Sequence, residues 1–376
     1  MKNTKFKLQG EEVQTTSNNF MKEFMPDATV SSYNISVNRG SPGNATEHTI
    51  ELTDNDAVVV ELENNIRWVY NRSDFVSKVQ SQQPADRGSS SDELVLPLTW
   101  QDENQSRGLI GGALKLLGLK KVKNFVGEKL ATAIAQKIEK NNQNELLICD
   151  KDFKLDKIFD KATAKAGEGN YLLLIHGTAS NTRGSFEGLA TQNGGKTFEA
   201  LFNQYPNRII SYEHKTLTQS PITNVIDLVS KLPDDITLDM MSHSRGGLVG
   251  ELIARLGCAE IDKCFTAREI EILSKNEEAK SLLKEIELLH RVINKKQIKV
   301  NRFVRVACPA AGTILLSQRM DTMLNVMFNM MGRVGGEVMG TISDGLEALV
   351  TAIVNEKNDF DTLPGIECMR PTSNFI

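Results

Sequence analysis

The sequence predicts an α/β fold, a mostly parallel sheet flanked by helices, preceded by a small β-rich N-terminal unit. Three observations carry the prediction. From about residue 150, short apolar runs alternate with stretches of helical spacing, an order that right-handed crossovers turn into a parallel sheet. The runs are apolar at successive positions, as in YLLLIHG (171–177), which suits strands covered on both faces. Residues 46–70, TEHTIELTDNDAVVVELENNIRWVY, alternate between β-type runs and turn signals.

In chain order, residues 1–45 are polar and rich in Asn, Ser and Thr, and predict extended chain and turns. TIEL, AVVVEL and IRWVY predict short strands, with Thr53-Asp54-Asn55-Asp56 and Asn64-Asn65 as turns. Residues 78–91 have linker composition, and 93–99 predict one more strand, so 1–105 is a β-rich N-terminal region. A helical connector follows over 106–150. Within it, 108–140 (GLIGGALKLLGLKKVKNFVGEKLATAIAQKIEK) places apolar residues at helical spacing and lysines opposite. Such a helix packs on its own protein with its lysines in water, or lies on an anionic membrane surface.

Residues 151–376 read as the main domain. Strands are predicted at 171–177, 208–214, 236–242 and 300–310. Helices are predicted at 196–203, at 221–231 starting on Pro221, and from RGGLVGELIARLG onward. The Glu- and Lys-dense stretch 259–299 reads as an inserted helical hairpin, either solvated or serving as a partner-binding arm. Two apolar helices, within 312–357, flank Gly332 to Gly336. They carry methionines at 320, 323, 327, 330 and 331 that suit either a core or a pocket for varied acyl chains.

Bulk properties narrow the function. Of 376 residues, 40% are hydrophobic and 24% charged, as in a globular protein, and the net charge of -4 argues against a dedicated nucleic-acid binder. No run of about 18 apolar residues exists, so no transmembrane segment is expected. The stretch MKNTKFKLQGEEVQTTSNNF lacks a signal-peptide core. Five scattered cysteines, Cys149, Cys258, Cys264, Cys308 and Cys368, fit free thiols in a reducing compartment better than a disulfide framework, and show no metal-ligand spacing. The expected location is cytoplasmic, with no metal and no organic cofactor.

The chemistry concentrates in ITLDMMSHSRGG (236–247). A serine attacks a carbonyl when it stands on a sharp turn, a base takes its proton and backbone N–H groups stabilise the oxyanion. Ser244 has small residues two before it, Ser242, and two after it, Gly246. The N–H of Arg245 would open the next helix, where the dipole favours negative charge. A second donor is expected from Thr178 or Ala179, after the strand that ends in His176-Gly177. His176 fixes that loop through hydrogen bonds, and His243 packs beneath the serine turn. The plainer reading of Ser244 is a helix N-cap.

Together IHGT and SHSRGG resemble the α/β-hydrolase superfamily on its lipase and esterase side. HGTASNTRGSF, SHSRGGLVGEL and FVRVACPAAGT resemble lipase-like domains of bacterial multidomain proteins, some fused to CHAT peptidase modules. The resemblance spans roughly 160–376 and implies an α/β-hydrolase sheet and a Ser244 nucleophile; it does not settle the substrate class, for which an acyl ester or lipid-like molecule is the expectation. It also implies an acid and then a histidine after the nucleophile. The histidines here are His48, His176, His214, His243 and His290, none of them beyond the strand at 300–308. The expectation is that the last strands, with acid and base, are absent. The first explanation is a truncated or interrupted gene, the second a degenerate hydrolase, and the third an unusual base, for which His214 is the candidate because it ends the strand taken to neighbour the nucleophile strand. Asp321, Asp344, Asp359 and Asp361 are acids that nothing singles out. The predicted function is a serine hydrolase with an incomplete triad; the alternative is a degenerate scaffold serving as an interaction module of a larger protein.

Overall fold

The computed structural model describes residues 4–14, 19–35, 46–63, 66–82, 93–100, 114–123, 130–164, 167–258, 260–309, 337–355, 363–369 and 373. They divide into two compact units, Met1–Ile138 with Arg319–Asp359 and Glu139–Gln318 with Phe360–Ile376.

The first unit is built on eight strands: β1 (Thr4–Val13), β2 (Thr29–Ile35), β3 (Thr46–Leu52), β4 (Ala57–Leu62), β5 (Ile66–Asn71), β6 (Glu93–Val95), β7 (Thr99–Trp100) and β8 (Leu114–Lys123). They form one sheet in the order β3-β1-β2-β8-β4-β5, with β6 against β1 and β7 against β8; every pairing but β1–β6 is antiparallel. Helices α1 (Asn19–Phe24), α2 (Arg72–Ser81) and α3 (Leu130–Ile138) belong to the same unit.

This sheet overturns the expected fold class. The larger sheet is antiparallel, and the sheet of the second unit is mixed, so a mostly parallel α/β-hydrolase sheet does not describe the chain. The N-terminal region is no small appendage. β1 and β2 lie where turns and extended chain were expected, because their solvent-facing lysines, serines and glutamines dilute the apolar signal. In β1, Phe6 and Leu8 are buried between exposed or half-buried Lys5, Lys7 and Gln9.

The expected helix over 108–140 is also corrected. Residues 114–123 are strand β8, and helix begins only at Leu130, while 108–113 and 124–129 lie outside the described residues. The cause is a β-bulge. Leu116 faces Leu62 and Gly118 faces Glu61, so Leu117 is an extra residue. Leu116 and Leu119 consequently enter the same core, at an interval of three that mimics a helix, and Val122, three residues further on, is buried as well. The lysines are not a free basic face: Lys120 pairs with Glu61 and Glu347, and Lys121 with Asp56. The membrane contact inferred from that helix loses its basis here.

One face of the sheet carries a core that includes Phe6, Val58, Val60, Leu62, Phe75 and Trp100. Helix α12 (Glu337–Asn355) packs on α3 and β5. It was expected as one of two apolar helices of the main domain, 151–376; it belongs instead to the first unit, where Arg67 holds Glu347 at 2.7 Å. The companion helix expected at 312–332, its methionines, and Asp321, Asp359 and Asp361 lie outside the described residues.

The second unit carries β9 (Leu146–Ile148), β10 (Lys157–Ile158), β11 (Tyr171–Ile175), β12 (Ile209–Tyr212), β13 (Thr237–His243) and β14 (Lys299–Val306). Their order is β10-β9-β12-β11-β13-β14, with β9 and β10 antiparallel and the other four parallel. The connections hold α4 (Thr182–Phe186), α5 (Gly188–Thr191), a 3-10 turn, α6 (Lys196–Gln204), α7 (Pro221–Lys231) and α8 (Gly246–Leu256). Ser220 caps α7 by accepting from the Thr223 N–H. All five residues of β11 are buried, as its unbroken apolar run requires.

The stretch 259–299 forms α9 (Ile261–Cys264), α10 (Ala267–Ile272) and α11 (Glu277–Lys295) rather than a hairpin. It is not a solvated excursion, because Ile286, Leu289 and Ile293 of α11 enter the main core. A disulfide joins Cys258 to Cys264, with Cα atoms 5.9 Å apart, against the expectation of five free thiols; Cys149, Cys308 and Cys368 are free. A last short helix, α13 (Pro364–Glu367), docks on this unit where the Gly365 N–H donates to the Leu217 carbonyl. No helix among the described residues is long and apolar enough to cross a membrane.

Candidate functional site

Ser244, with Arg245 one of the two residues between β13 and α8, lies at φ 51°, in the left-handed region. A non-glycine residue there costs on the order of 1 kcal/mol and persists only when its surroundings fix it. Two bonds do so: its N–H donates to the Val306 carbonyl of β14 at 2.8 Å, and its carbonyl accepts from the Gly247 N–H at 2.9 Å. Ser244 is half-buried, and its Oγ has no hydrogen-bond partner among the described residues. It is therefore not a helix N-cap; Arg245 occupies that position and α8 has no side-chain cap bond.

The facing turn follows β11. Ile175 pairs with Ser242, so the two strands end side by side. A Cβ on Gly177 would lie 2.9 Å from the Ser244 Cβ, and one on Gly246 would lie 2.5 Å from the carbonyl oxygens of Ile175 and His176. Both glycines are required by close approach. The left-handed residue of this turn is Ala179, at φ 48°.

The predicted oxyanion donors separate here. The Ala179 N–H donates to Thr216 Oγ1 at 2.8 Å, so Ala179 is corrected from donor to loop anchor. The N–H groups of Thr178 and Arg245 have no acceptor among the described residues. Thr178 itself is buried, and its hydroxyl donates to Met369 Sδ at 3.7 Å.

The Arg245 side chain has a role that the sequence did not disclose. Fully buried, it donates Nε–H to the Gly365 carbonyl at 2.6 Å, Nη1–H to Asn224 Oδ1 at 3.0 Å and Nη2–H to the Gln219 carbonyl. One residue after the serine, the chain is thus bolted to α7, to the loop before it and to α13. That loop is itself organised by buried Glu139, whose carboxylate accepts from the N–H groups of Thr216, Leu217 and Thr218 and from the Thr218 hydroxyl.

His176 is fully buried and neutral. Its Nδ1–H donates to the Gly177 carbonyl at 2.9 Å, which leaves Nε2 to accept from the His214 N–H at 3.1 Å. Desolvation lowers its pKa against the opposing pull of Glu213. It fixes the loop and has no nitrogen to spare. His214 is corrected as a base. β11 separates β12 from β13, so the strand before His214 does not neighbour the strand that leads to Ser244. Its ring is buried between Tyr212 and His176, at 4.9 and 4.2 Å, and Nδ1–H donates to the Tyr212 carbonyl. Burial and then His176 push its pKa well down. His243 is half-buried, with Nδ1 3.4 Å from Ser185 Oγ. Burial lowers its pKa too, ahead of the nearby His176. His48 lies in β3 and His290 in α11.

Beside the turn, a cavity of about 310 Å³ opens between α8, α10, α11 and β14. Leu248, Leu252, Phe265 and Ile286 give it apolar walls; Glu251, Arg255, Glu269 and Arg305 give it charge. Arg255 bridges Glu251 and Glu269, each at 2.8 Å, and Arg305 meets Glu251 at 2.8 Å. Gly247 and Cys308 bring this cavity close to the serine turn along the chain, but Ser244 does not line it.

Comparison with known proteins gives a family and no activity. No curated protein matches the chain, and no solved structure matches it. Residues 143–274 and 280–376, more than half of the chain, match a family model described as a domain of unknown function (DUF7379). The chain belongs to the DUF7379 family.

Proposed function

We propose that the chain is a serine hydrolase of lipase or esterase type, with Ser244 attacking an ester-like carbonyl. The observation that carries this reading is the backbone of Ser244: a left-handed residue on a strand-to-helix turn, its Cβ against Gly177 and its hydroxyl without a partner among the described residues. The N–H groups of Thr178 and Arg245 are the proposed oxyanion donors, and Gly177, Gly246, His176 and His243 shape the turns around them. The resemblance of HGTASNTRGSF and SHSRGGLVGEL to lipase-like domains supports the same reading. The substrate class is an acyl ester or lipid-like molecule. The proposed location is cytoplasmic, a reading that fits free Cys149, Cys308 and Cys368 and requires the Cys258–Cys264 pair to be reduced there.

None of the five histidines hydrogen-bonds Ser244 among the described residues. Without a base, binding and oxyanion stabilisation leave about 10³–10⁴-fold catalysis over water. That same observation favours a second reading, a catalytically degenerate scaffold that acts as an interaction module. A fluorophosphonate probe separates the two. The hydrolase reading expects slow labelling that Ser244→Ala abolishes and Ser185→Ala leaves in place. Labelling indifferent to Ser244→Ala, or none at all, supports the module.

A further inference from the structure

We infer that Cys258, Cys264 and His290 form a zinc site that ties α9 and α11 to the end of α8. The two sulfurs and a ring nitrogen of His290 lie within 4.8 Å of one another. The residues come from three places: Cys258 just past the end of α8, Cys264 at the end of α9, and His290 within α11. Chain proximity alone brings the cysteines together, but the histidine arrives from 26 residues further on.

The polar surroundings point to a cation. The Glu260 carbonyl oxygen lies 3.2 Å from Cys258 Sγ and 3.5 Å from Cys264 Sγ. A disulfide has no proton to offer that oxygen. Once that disulfide is reduced, two thiolates and an imidazole within 4.8 Å of one another are all electron-pair donors, and a divalent ion offsets their mutual repulsion. Two soft sulfurs with one nitrogen are the donor set that Zn²⁺ prefers over Mg²⁺ or Ca²⁺. His290 Nε2–H donates to the Cys258 carbonyl at 2.9 Å, which leaves Nδ1 as the basic nitrogen. Metal-binding histidines commonly use their other ring nitrogen in this way. The Glu260 carbonyl or a water completes four-coordination.

Metal and disulfide exclude each other. A dithiol reductant opens the Cys258–Cys264 bond by giving two electrons and two protons to the sulfurs while its own sulfurs close into a disulfide. Zn²⁺ then binds both sulfurs and releases the two protons to water.

The test uses the full chain, purified anaerobically with a phosphine reductant and without chelator. Elemental analysis is expected to find about one zinc per chain. Cobalt titration of the stripped protein is expected to give thiolate-to-metal charge-transfer absorption and the strong visible bands of tetrahedral Co²⁺. Cys258→Ser removes the metal, and His290→Ala weakens cobalt binding by about tenfold or more. Three results overturn the site: wild-type chain without zinc, a cobalt spectrum without thiolate bands, or affinity unchanged in His290→Ala. The wild-type measurements stand even if a variant fails to fold.

Discussion

Ser244 and Gly177 meet back to back: a Cβ built on Gly177 would sit 2.9 Å from that of Ser244 and 3.1 Å from the His243 carbonyl oxygen. The two turns of the candidate site are thus one mechanical unit, and the empty volume at Gly177 sets the position of the Ser244 side chain. Gly177→Ala must push the turns apart. Overpacking of this kind costs about 1–3 kcal/mol. Urea unfolding is expected to show that loss, and fluorophosphonate labelling of the folded fraction is expected to slow. Unchanged stability and labelling would mean that the turns do not touch.

Arg245 makes a second prediction. Its guanidinium satisfies the Gly365 and Gln219 carbonyls and Asn224 Oδ1, all inside the second unit. Arg245→Met fills similar volume but leaves three acceptors without donors. Each buried unsatisfied group costs about 1–3 kcal/mol, partly offset by removal of a buried charge. The expected net loss is about 2–4 kcal/mol, read as a lower urea midpoint at unchanged slope. Arg245→Lys is expected to recover only part of it, because an ammonium is a point charge that does not reproduce the planar fork.

Acid should destabilise the fold through its imidazoles. Burial holds the pKa of His176 and of His214 below the ordinary value, and that of His243 as well. The unfolded chain therefore takes up protons first as pH falls below about 6.5. Stability is full above that pH and declines below it, by up to about 1.4 kcal/mol per pH unit for each such histidine, until its folded pKa is reached. Unfolding free energies at pH 7.5, 6.5 and 5.5, chosen to span about the ordinary histidine value, should change little over the first step and fall steeply over the second. His214→Phe keeps the stacking between Tyr212 and His176 and is expected to flatten the slope; an identical slope would remove His214 from the account.

The sequence was most legible where one signal had one cause. The unbroken apolar run of β11, Pro221 after the Ser220 cap of α7, and the small residues around Ser244 each mark local geometry directly. It misled where tertiary structure rewrote the pattern. The bulge at Leu117 gave β8 an apolar interval of three that reads as helix. Phe6 and Leu8 of β1 alternate as a strand should, yet lysines and glutamines outweigh them. The weight of antiparallel pairing in the chain was missed with those strands. At the site, no local pattern revealed that Thr216 would occupy the Ala179 N–H, or that Arg245 would point its side chain into the protein. Both depend on a loop 37 and more residues away from one turn and held by Glu139. The Cys258–Cys264 pair escaped because five residues separate its members and its third member lies in another helix.

The central claim is that the Ser244 hydroxyl is a nucleophile raised on its turn. Peptide-level mass spectrometry after fluorophosphonate treatment of the full chain tests it most directly. The account predicts the adduct on the peptide carrying Ser244, absent from Ser244→Ala chains that unfold at the wild-type urea midpoint. An adduct on another serine, or none after prolonged exposure of folded protein, would contradict it.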